Sequence, residues 1–153
     1  MKRMVFLSLL LLSNIAVAKL SFVTTTHPGQ WELNNKASTL NFTTTKNSSK
    51  TEIQSFKKFE GHIYDTKVSM TIDLGSVNTG IEIRDQRIKE LFFDIVKFPT
   101  ATFTIDLRKS DLKQMKIGQT KTLREQATIE IQGVKQTLPV ELQVTSLNHN
   151  KLM

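Results

Sequence analysis

Four segments of the chain alternate apolar and polar residues with a period of two. Residues 68–74 show this clearly, because Val, Met, Ile and Leu alternate there with Ser, Thr and Asp. The same alternation occurs over residues 101–107, 127–132 and 138–145. Successive side chains of a strand point to opposite faces, so each segment is predicted to be a strand with one apolar and one polar face. Such strands are typical of antiparallel sheets.

Shorter patterns add further elements. Residues 39–43 and 59–64 alternate over fewer positions and are also predicted strands. Residues 133–136 begin with a glycine and separate the last two alternating runs, which predicts a hairpin turn there. Residues 84–91 are instead rich in charged and helix-favouring residues, with apolar positions at helical spacing. One short helix is predicted over this segment.

These elements predict an all-β fold. One-sided strands must cover their apolar faces, either as two packed sheets or as one sheet closed into a barrel. Consecutive strands with short turns favour an antiparallel up-and-down barrel, and about eight strands leave room inside for side chains or one small ligand. The alternation alone does not separate the barrel from a β-sandwich.

The chain begins like a secretory precursor. Residues 2–3 are basic, residues 5–12 are apolar, and small residues precede a predicted cut after Ala18. Residues 1–18 are therefore predicted to be a signal peptide, and residues 19–153 a single domain that works outside the cytoplasm. A membrane anchor is the competing interpretation, but the apolar run is shorter than the roughly 20 residues that a spanning helix needs.

Charge and composition exclude several functions. The net charge is +7, which favours anionic lipid headgroups or nucleic acid, or serves solubility alone. The absence of cysteine excludes thiol catalysis, cysteine-based zinc sites and disulfides. His27, His62 and His149 lack metal-binding spacing, and the sequence contains no nucleophile elbow, P-loop or dinucleotide motif. No enzyme, cofactor, metal or nucleic-acid partner is predicted.

A series of motifs then points to a family. In order, they are Trp31-Glu32-Leu33, Ser38-Thr39-Leu40-Asn41-Phe42, the run FKKFEGHI over residues 56–63, the run IDLGSVNTG over residues 72–80, Arg84-Asp85, Phe92-Phe93-Asp94, and the run FPTATF over residues 98–103. In this order and spacing they resemble the YceI-like family of periplasmic, lipocalin-like, polyisoprenoid-binding proteins. The resemblance covers nearly all of the chain after the predicted signal peptide.

The resemblance implies an antiparallel up-and-down lipocalin-like barrel with one short helix and a long apolar tunnel. The tunnel would hold one isoprenoid or similar amphiphilic lipid in the periplasm, without catalysis or cofactor, and a transient membrane-surface contact is compatible with that role. Family members continue with further strands after the late hairpin. We therefore expect that the chain is truncated, or that its barrel is incomplete or open at the C-terminal end.

The aromatic and apolar residues of the strands are the candidate site. The predicted tunnel wall consists of Phe42, Phe59, Met70, Ile72, Phe103 and Ile105, and the predicted mouth consists of Phe92, Phe93 and Phe98. The competing interpretation is an ordinary filled core. Arg84 and Asp85 are predicted either to contact a lipid headgroup or to fix the helix through an ion pair or cap.

Two other classes of function compete with a lipid carrier. The first is an interaction module, a β-sandwich or filled barrel that works through its surface or an open strand edge. The second is a barrel enzyme with His62 or the Arg84-Asp85 region near a pocket, which would require converging polar groups inside a cavity.

Overall fold

The computed structural model describes residues 16–27, 29–46, 50–107, 115–148 and 151–152. The strands are β1 (Ala16–Lys19), β2 (Phe22–Thr24), β3 (Gln30–Leu33), β4 (Thr39–Lys46), β5 (Lys50–Phe56), β6 (Phe59–Tyr64), β7 (Lys67–Asp73), β8 (Val77–Asn78), β9 (Thr100–Asp106), β10 (Thr120–Ile131), β11 (Val134–Asn148) and β12 (Lys151–Leu152). Helix α1 (Glu82–Arg87) continues into a π-helical segment (Ile88–Phe93), and 3₁₀ turns occupy Asn35–Ala37 and Leu74–Ser76.

Within the described ranges, eight strands form a ring, and each strand pairs antiparallel with the ring strand that follows it in the chain. The order is β2, β3, β6, β7, β9, β10, β11 and β12, and β12 pairs with β2 again. This is the up-and-down arrangement that consecutive strands with short turns favour. The prediction of an antiparallel, mostly β fold with one short helical segment is confirmed.

The wall of the ring is narrowest at β12. This strand pairs with β2 and with β11 through two residues on each side, and its register with β11 is irregular. On its other side β11, which is 15 residues long, pairs with β10 at twelve positions. Within the described ranges, the ring is therefore closed through two residues of β12, and the rest of β11 is not paired on that side.

A second sheet lies outside the ring and was not predicted. It has four strands in the order β1-β4-β5-β8. The β4–β5 hairpin is inserted between β3 and β6, and β8 with the helix is inserted between β7 and β9. Residues 1–15, the larger part of the predicted signal peptide, lie outside the described residues, and the predicted cut after Ala18 falls within β1.

The predicted faces of the strands agree with burial. On β9, Ala101 and Ile105 are buried, whereas Thr102 and Thr104 are exposed. Strands β6 and β7 show the same alternation. Among the strands that sequence reasoning missed, β2 and β12 have three and two residues, which is too few for a period of two to be visible.

Two predicted boundaries need correction. The hairpin turn was expected at residues 133–136, but Val134 already pairs with Ile131. The turn is Gln132–Gly133, with φ of +53° and +76°, as in the primed two-residue turns that match the twist of a hairpin. The helix was expected at residues 84–91, but the helical conformation runs from Glu82 to Phe93.

Candidate functional site

Three of the predicted wall residues share one buried cluster. Phe59, Met70 and Ile72 are each less than 10% exposed, at 7%, 6% and 8%. The other buried members are Leu40, Leu74, Val77, Phe93 and Ala101. Strand register explains the cluster, because Phe59 lies opposite Ile72 and Met70 lies opposite Phe103, which packs against the cluster. Four predicted wall residues on β6, β7 and β9 are thus brought together.

Ile105 belongs to a second buried cluster, with Leu107 and Ala127. It lies farther along β9, opposite Ala127 of β10. Phe103 and Val68 are half-buried and pack against this cluster too. Because Phe103 also contacts the first cluster, it connects the two groups of apolar side chains.

A third cluster extends the apolar interior to the strands at the beginning of the chain. Its buried members are Phe22 of β2 and Ile63 of β6, and Trp31 of β3 packs against them. Leu33 contacts both this cluster and the first one, and Val68 contacts both this cluster and the second. Sequence reasoning did not place Phe22, Trp31 and Leu33 in the interior, because β2 and β3 are too short to show an alternation.

Phe42 occupies a different place from the other predicted wall residues. It lies on β4 of the second sheet and packs against the first cluster from there. Its ring lies 5.2 Å from that of Phe56, which lies 6.1 Å from the ring of Phe93, which in turn meets Phe92 edge-on at 5.2 Å. Aromatic contacts therefore run from the second sheet through the cluster to the helical segment.

The predicted mouth residues differ in exposure. Phe93 is 8% exposed and buried in the first cluster, whereas Phe92 is 41% exposed. Phe98 is half-buried, with the ammonium nitrogen of Lys97 5.3 Å from its ring centre. The Gln132 side-chain amide donates hydrogen bonds to the carbonyl oxygens of Phe92 and Phe93, at 2.8 and 3.0 Å. This glutamine, which sequence reasoning missed, ties the helical segment to the β10–β11 turn.

Arg84 and Asp85 both bind Thr79. The Asp85 carboxylate accepts hydrogen bonds from the Thr79 amide at 2.8 Å and from its hydroxyl at 2.6 Å. Arg84 donates to the Thr79 hydroxyl and carbonyl oxygens, both at 2.8 Å, and to the Glu52 carboxylate at 2.5 Å. These contacts join α1 to β5 and to Thr79, the residue after β8.

Within this network, Arg84 changes the pKa of the Glu52 carboxyl. The hydrogen bond from Arg84, followed by the positive charge of its guanidinium, lowers the pKa of the Glu52 carboxyl below its ordinary value of 4.5. Glu52 was not a candidate in the sequence, because it lies 32 positions from Arg84. No motif spans such a separation.

Two depressions on the protein are lined by other residues. One, of about 460 Å³, lies over β3 and β6, and the other, of about 400 Å³, lies over β10 and β11. Neither is lined by a predicted wall or mouth residue. His62 lines the first together with Glu32 and Glu60, but within the described ranges no three histidine or acidic side chains are grouped closely enough to hold a metal ion.

The described residues also contain no helix that is both long and apolar enough to cross a membrane.

Comparison with known proteins identifies the family. The YceI-like domain profile matches residues 31–151. The chain belongs to the YceI-like family. A solved polyisoprenoid-binding domain from Saccharophagus degradans, described as implicated in plant cell wall breakdown, is similar to this YceI-like protein at 28% identity and a TM-score of 0.73. The similarity covers 80% of this chain and 70% of that one. A search of curated proteins finds no match.

Proposed function

We propose that this YceI-like protein binds one long-chain apolar lipid, of polyisoprenoid type, in the interior of its barrel. Three adjoining clusters of apolar side chains carry this proposal, and most of their buried members lie on strands of the ring. Leu40 and Val77 of the second sheet and Phe93 of the helical segment also belong to the first cluster. The polyisoprenoid-binding domain with the same fold supports the class of ligand. The protein would carry, store or sequester the lipid without changing it chemically.

The physical basis is the removal of apolar surface from water. An apolar chain gains about 25 cal/mol for each Å² that it buries, with no need for directional contacts. Met70 lies in the largest of the clusters and is 6% exposed. Its unbranched, polarizable side chain can adapt to a flexible lipid chain. The Phe92–Phe93 contact supports an entrance at the helical segment.

We also propose that the protein acts in the periplasm after export by its N-terminal segment. The basic and apolar composition of residues 2–12 and the small residues before Ala18 support this location. Edman sequencing of protein isolated from its own host would test it, and a mature N-terminus at Lys19 is expected.

Native mass spectrometry tests lipid binding directly. Protein from its own host is analysed intact and then extracted with solvent, and a stoichiometric extractable isoprenoid or similar lipid is the expected result. Protein without bound lipid that also fails to take up added polyprenol would overturn the proposal.

A matched pair of substitutions locates the ligand. Ala101 faces the interior at 1% exposure, whereas its neighbour Thr102 on β9 is exposed. We expect Ala101→Leu to lower polyprenol uptake and Thr102→Leu to leave it unchanged. Thermal unfolding of both variants separates a filled binding space from general destabilisation, since overpacking alone costs about 1–3 kcal/mol.

The β11 edge supports a second candidate function. Strand β11 has 15 residues, and among the residues that the structure describes two of its positions pair with β12. A long strand edge is a template for pairing with another chain. If the protein proves unable to bind lipid, an interaction module that works through this edge becomes the preferred function.

A further inference from the structure

Large apolar side chains are exposed around the helical segment and the neighbouring hairpin. Leu91 is 81% exposed, Phe92 41%, Val96 95% and Val134 52%. We call these residues the apolar rim. Isolated exposed apolar residues are ordinary on a protein surface, but a group of them marks a surface that contacts another apolar phase.

Backbone contacts hold the rim together. The amides of Lys97 and Phe98 both donate to the Asp94 carbonyl oxygen, at 2.9 and 2.8 Å, which forms a tight turn with Val96 inside it. The hydrogen bonds from Gln132 fix the β10–β11 turn, two positions before Val134, to the backbone of Phe92 and Phe93. The rim therefore comprises two loops that are fixed to each other.

Strand register places the rim at one end of the barrel. Strand β7 ends, and β9 begins, where Asp73 lies opposite Thr100. Strand β10 runs to the same end, because Glu130 pairs with Thr102. The helical segment connects β7 to β9 at this end, so the rim surrounds the end of the interior that is filled by the first cluster.

The rim is continuous with the interior. Phe92 is part of the rim, and its ring lies 5.2 Å from that of Phe93, which is buried in the first cluster. The Phe92–Phe93 contact therefore gives an apolar chain a path from the exposed surface to the interior. A lipid can use this path only if the rim contacts the membrane or other apolar environment from which the lipid is taken.

Charge favours an anionic membrane as that environment. Residues 87–97 carry three basic and two acidic side chains, and the net charge of +7 for the whole chain becomes +5 once Lys2 and Arg3 are removed with residues 1–18. One of the acidic groups, Glu90, accepts a hydrogen bond from Gln86. Lysine stems can lie along apolar surface while the ammonium groups reach lipid phosphates, and Lys97 already lies over the Phe98 ring.

We propose that the apolar rim docks this protein on an anionic phospholipid membrane, with Leu91, Phe92 and Val96 inserted among the acyl chains. Docking opens a water-free route between the membrane and the barrel interior. This inference rests on the proposed function, since the route has a purpose only for an apolar cargo.

Vesicle co-sedimentation of the purified protein without residues 1–18 tests the docking, because the apolar run at residues 5–12 would itself enter a membrane. The vesicles contain phosphatidylcholine and phosphatidylglycerol in equal parts, or phosphatidylcholine alone. We expect binding to the anionic vesicles, and a loss of at least about tenfold in partitioning for the double variant Leu91→Ser/Val96→Ser, because two apolar insertions are removed. Both side chains are exposed, so the fold should tolerate the change.

Ile83→Ser is the matched control. Ile83 is 63% exposed on α1, and eight residues of helix place it about 12 Å from Leu91 along the axis. Its substitution should leave vesicle binding unchanged. Vesicle binding that is equal in wild type and double variant, or a lack of wild-type binding to anionic vesicles, overturns the docking proposal.

Two further measurements separate the proposals. Polyprenol loading is followed by native mass spectrometry without vesicles; loading without vesicle binding would overturn the docking and leave the proposed function standing. Vesicle binding without loading would overturn the proposed function and leave the docking standing.

Sedimentation velocity of wild type and double variant completes the test, because self-association that is lost in the double variant would assign the rim to an interface between copies and overturn the docking.

Discussion

Shortening Ile105 to alanine tests whether the alternating face of β9 is packed inside the barrel. Ile105 is 3% exposed and lies opposite Ala127 on one side and Val68 on the other. The substitution removes three carbons, which at about 0.8 kcal/mol each amounts to about 2.4 kcal/mol of lost transfer free energy. A remaining cavity of about 60 Å³, at about 24 cal/mol per Å³, adds about 1.4 kcal/mol.

Urea unfolding followed by fluorescence or circular dichroism should therefore show a loss of about 4 kcal/mol in the free energy of unfolding. The corresponding fall in Tm is about 8–16 °C for a chain of this size. The slope of the unfolding curve should stay the same, because the folded and unfolded surfaces change little.

Thr104→Ala is the control, since Thr104 is the exposed neighbour on the same strand. It should cost less than about 1 kcal/mol, the span of strand propensities. If Ile105→Ala costs no more than Thr104→Ala, the assignment of the two faces of β9 is wrong. The interior would then not be built as described.

Three other predictions concern the polar network and two glycines. Because Arg84 lowers the folded-state pKa of Glu52 below 4.5, the stabilisation from Glu52 is complete above about pH 4.5 and is lost as the pH falls through the folded pKa. Glu52→Gln should flatten this part of a plot of unfolding free energy against pH. An unchanged plot would contradict the role of the Arg84–Glu52 pair. Gly133→Ala should cost about 1 kcal/mol in urea unfolding, because φ is +76° while nothing lies within 4 Å of the added carbon; Gly133→Asn should cost measurably less, and equal costs would show that strain is not the cause. Gly61→Ala should lower the free energy of unfolding by about 1–2 kcal/mol, because the added Cβ would lie 3.2 Å from the Ser69 carbonyl oxygen of the paired strand. A variant as stable as wild type would mean that β6 and β7 can move apart at no cost in free energy.

The predictions that held concern patterns within single strands. The period-two alternation over residues 68–74 and 101–107 correctly gave both the strands and their buried faces. This works because the direction of a side chain on a strand depends only on its position in the pleat. The family motifs add the up-and-down order, which is a property of the whole chain.

The predictions that needed correction concern ends and connections. The turn lies at Gln132–Gly133 rather than at residues 133–136, because several turn positions fit the same glycine. The second sheet was missed because Lys50–Phe56 has no clear alternation and the β4–β5 hairpin leaves the ring. Boundaries of this kind depend on the neighbouring strand, which the local sequence does not specify.

The amino-acid sequence by itself determined the class of fold, the apolar faces of the longer strands and the residues that resemble the YceI-like family. Only the tertiary structure decided which of these residues meet. It divided the predicted wall between the ring and the second sheet, joined Arg84 to Glu52, and bound Gln132 to the backbone of Phe92 and Phe93. Such contacts link residues more than 30 positions apart, and they arise from strand register and connection geometry rather than from any local pattern.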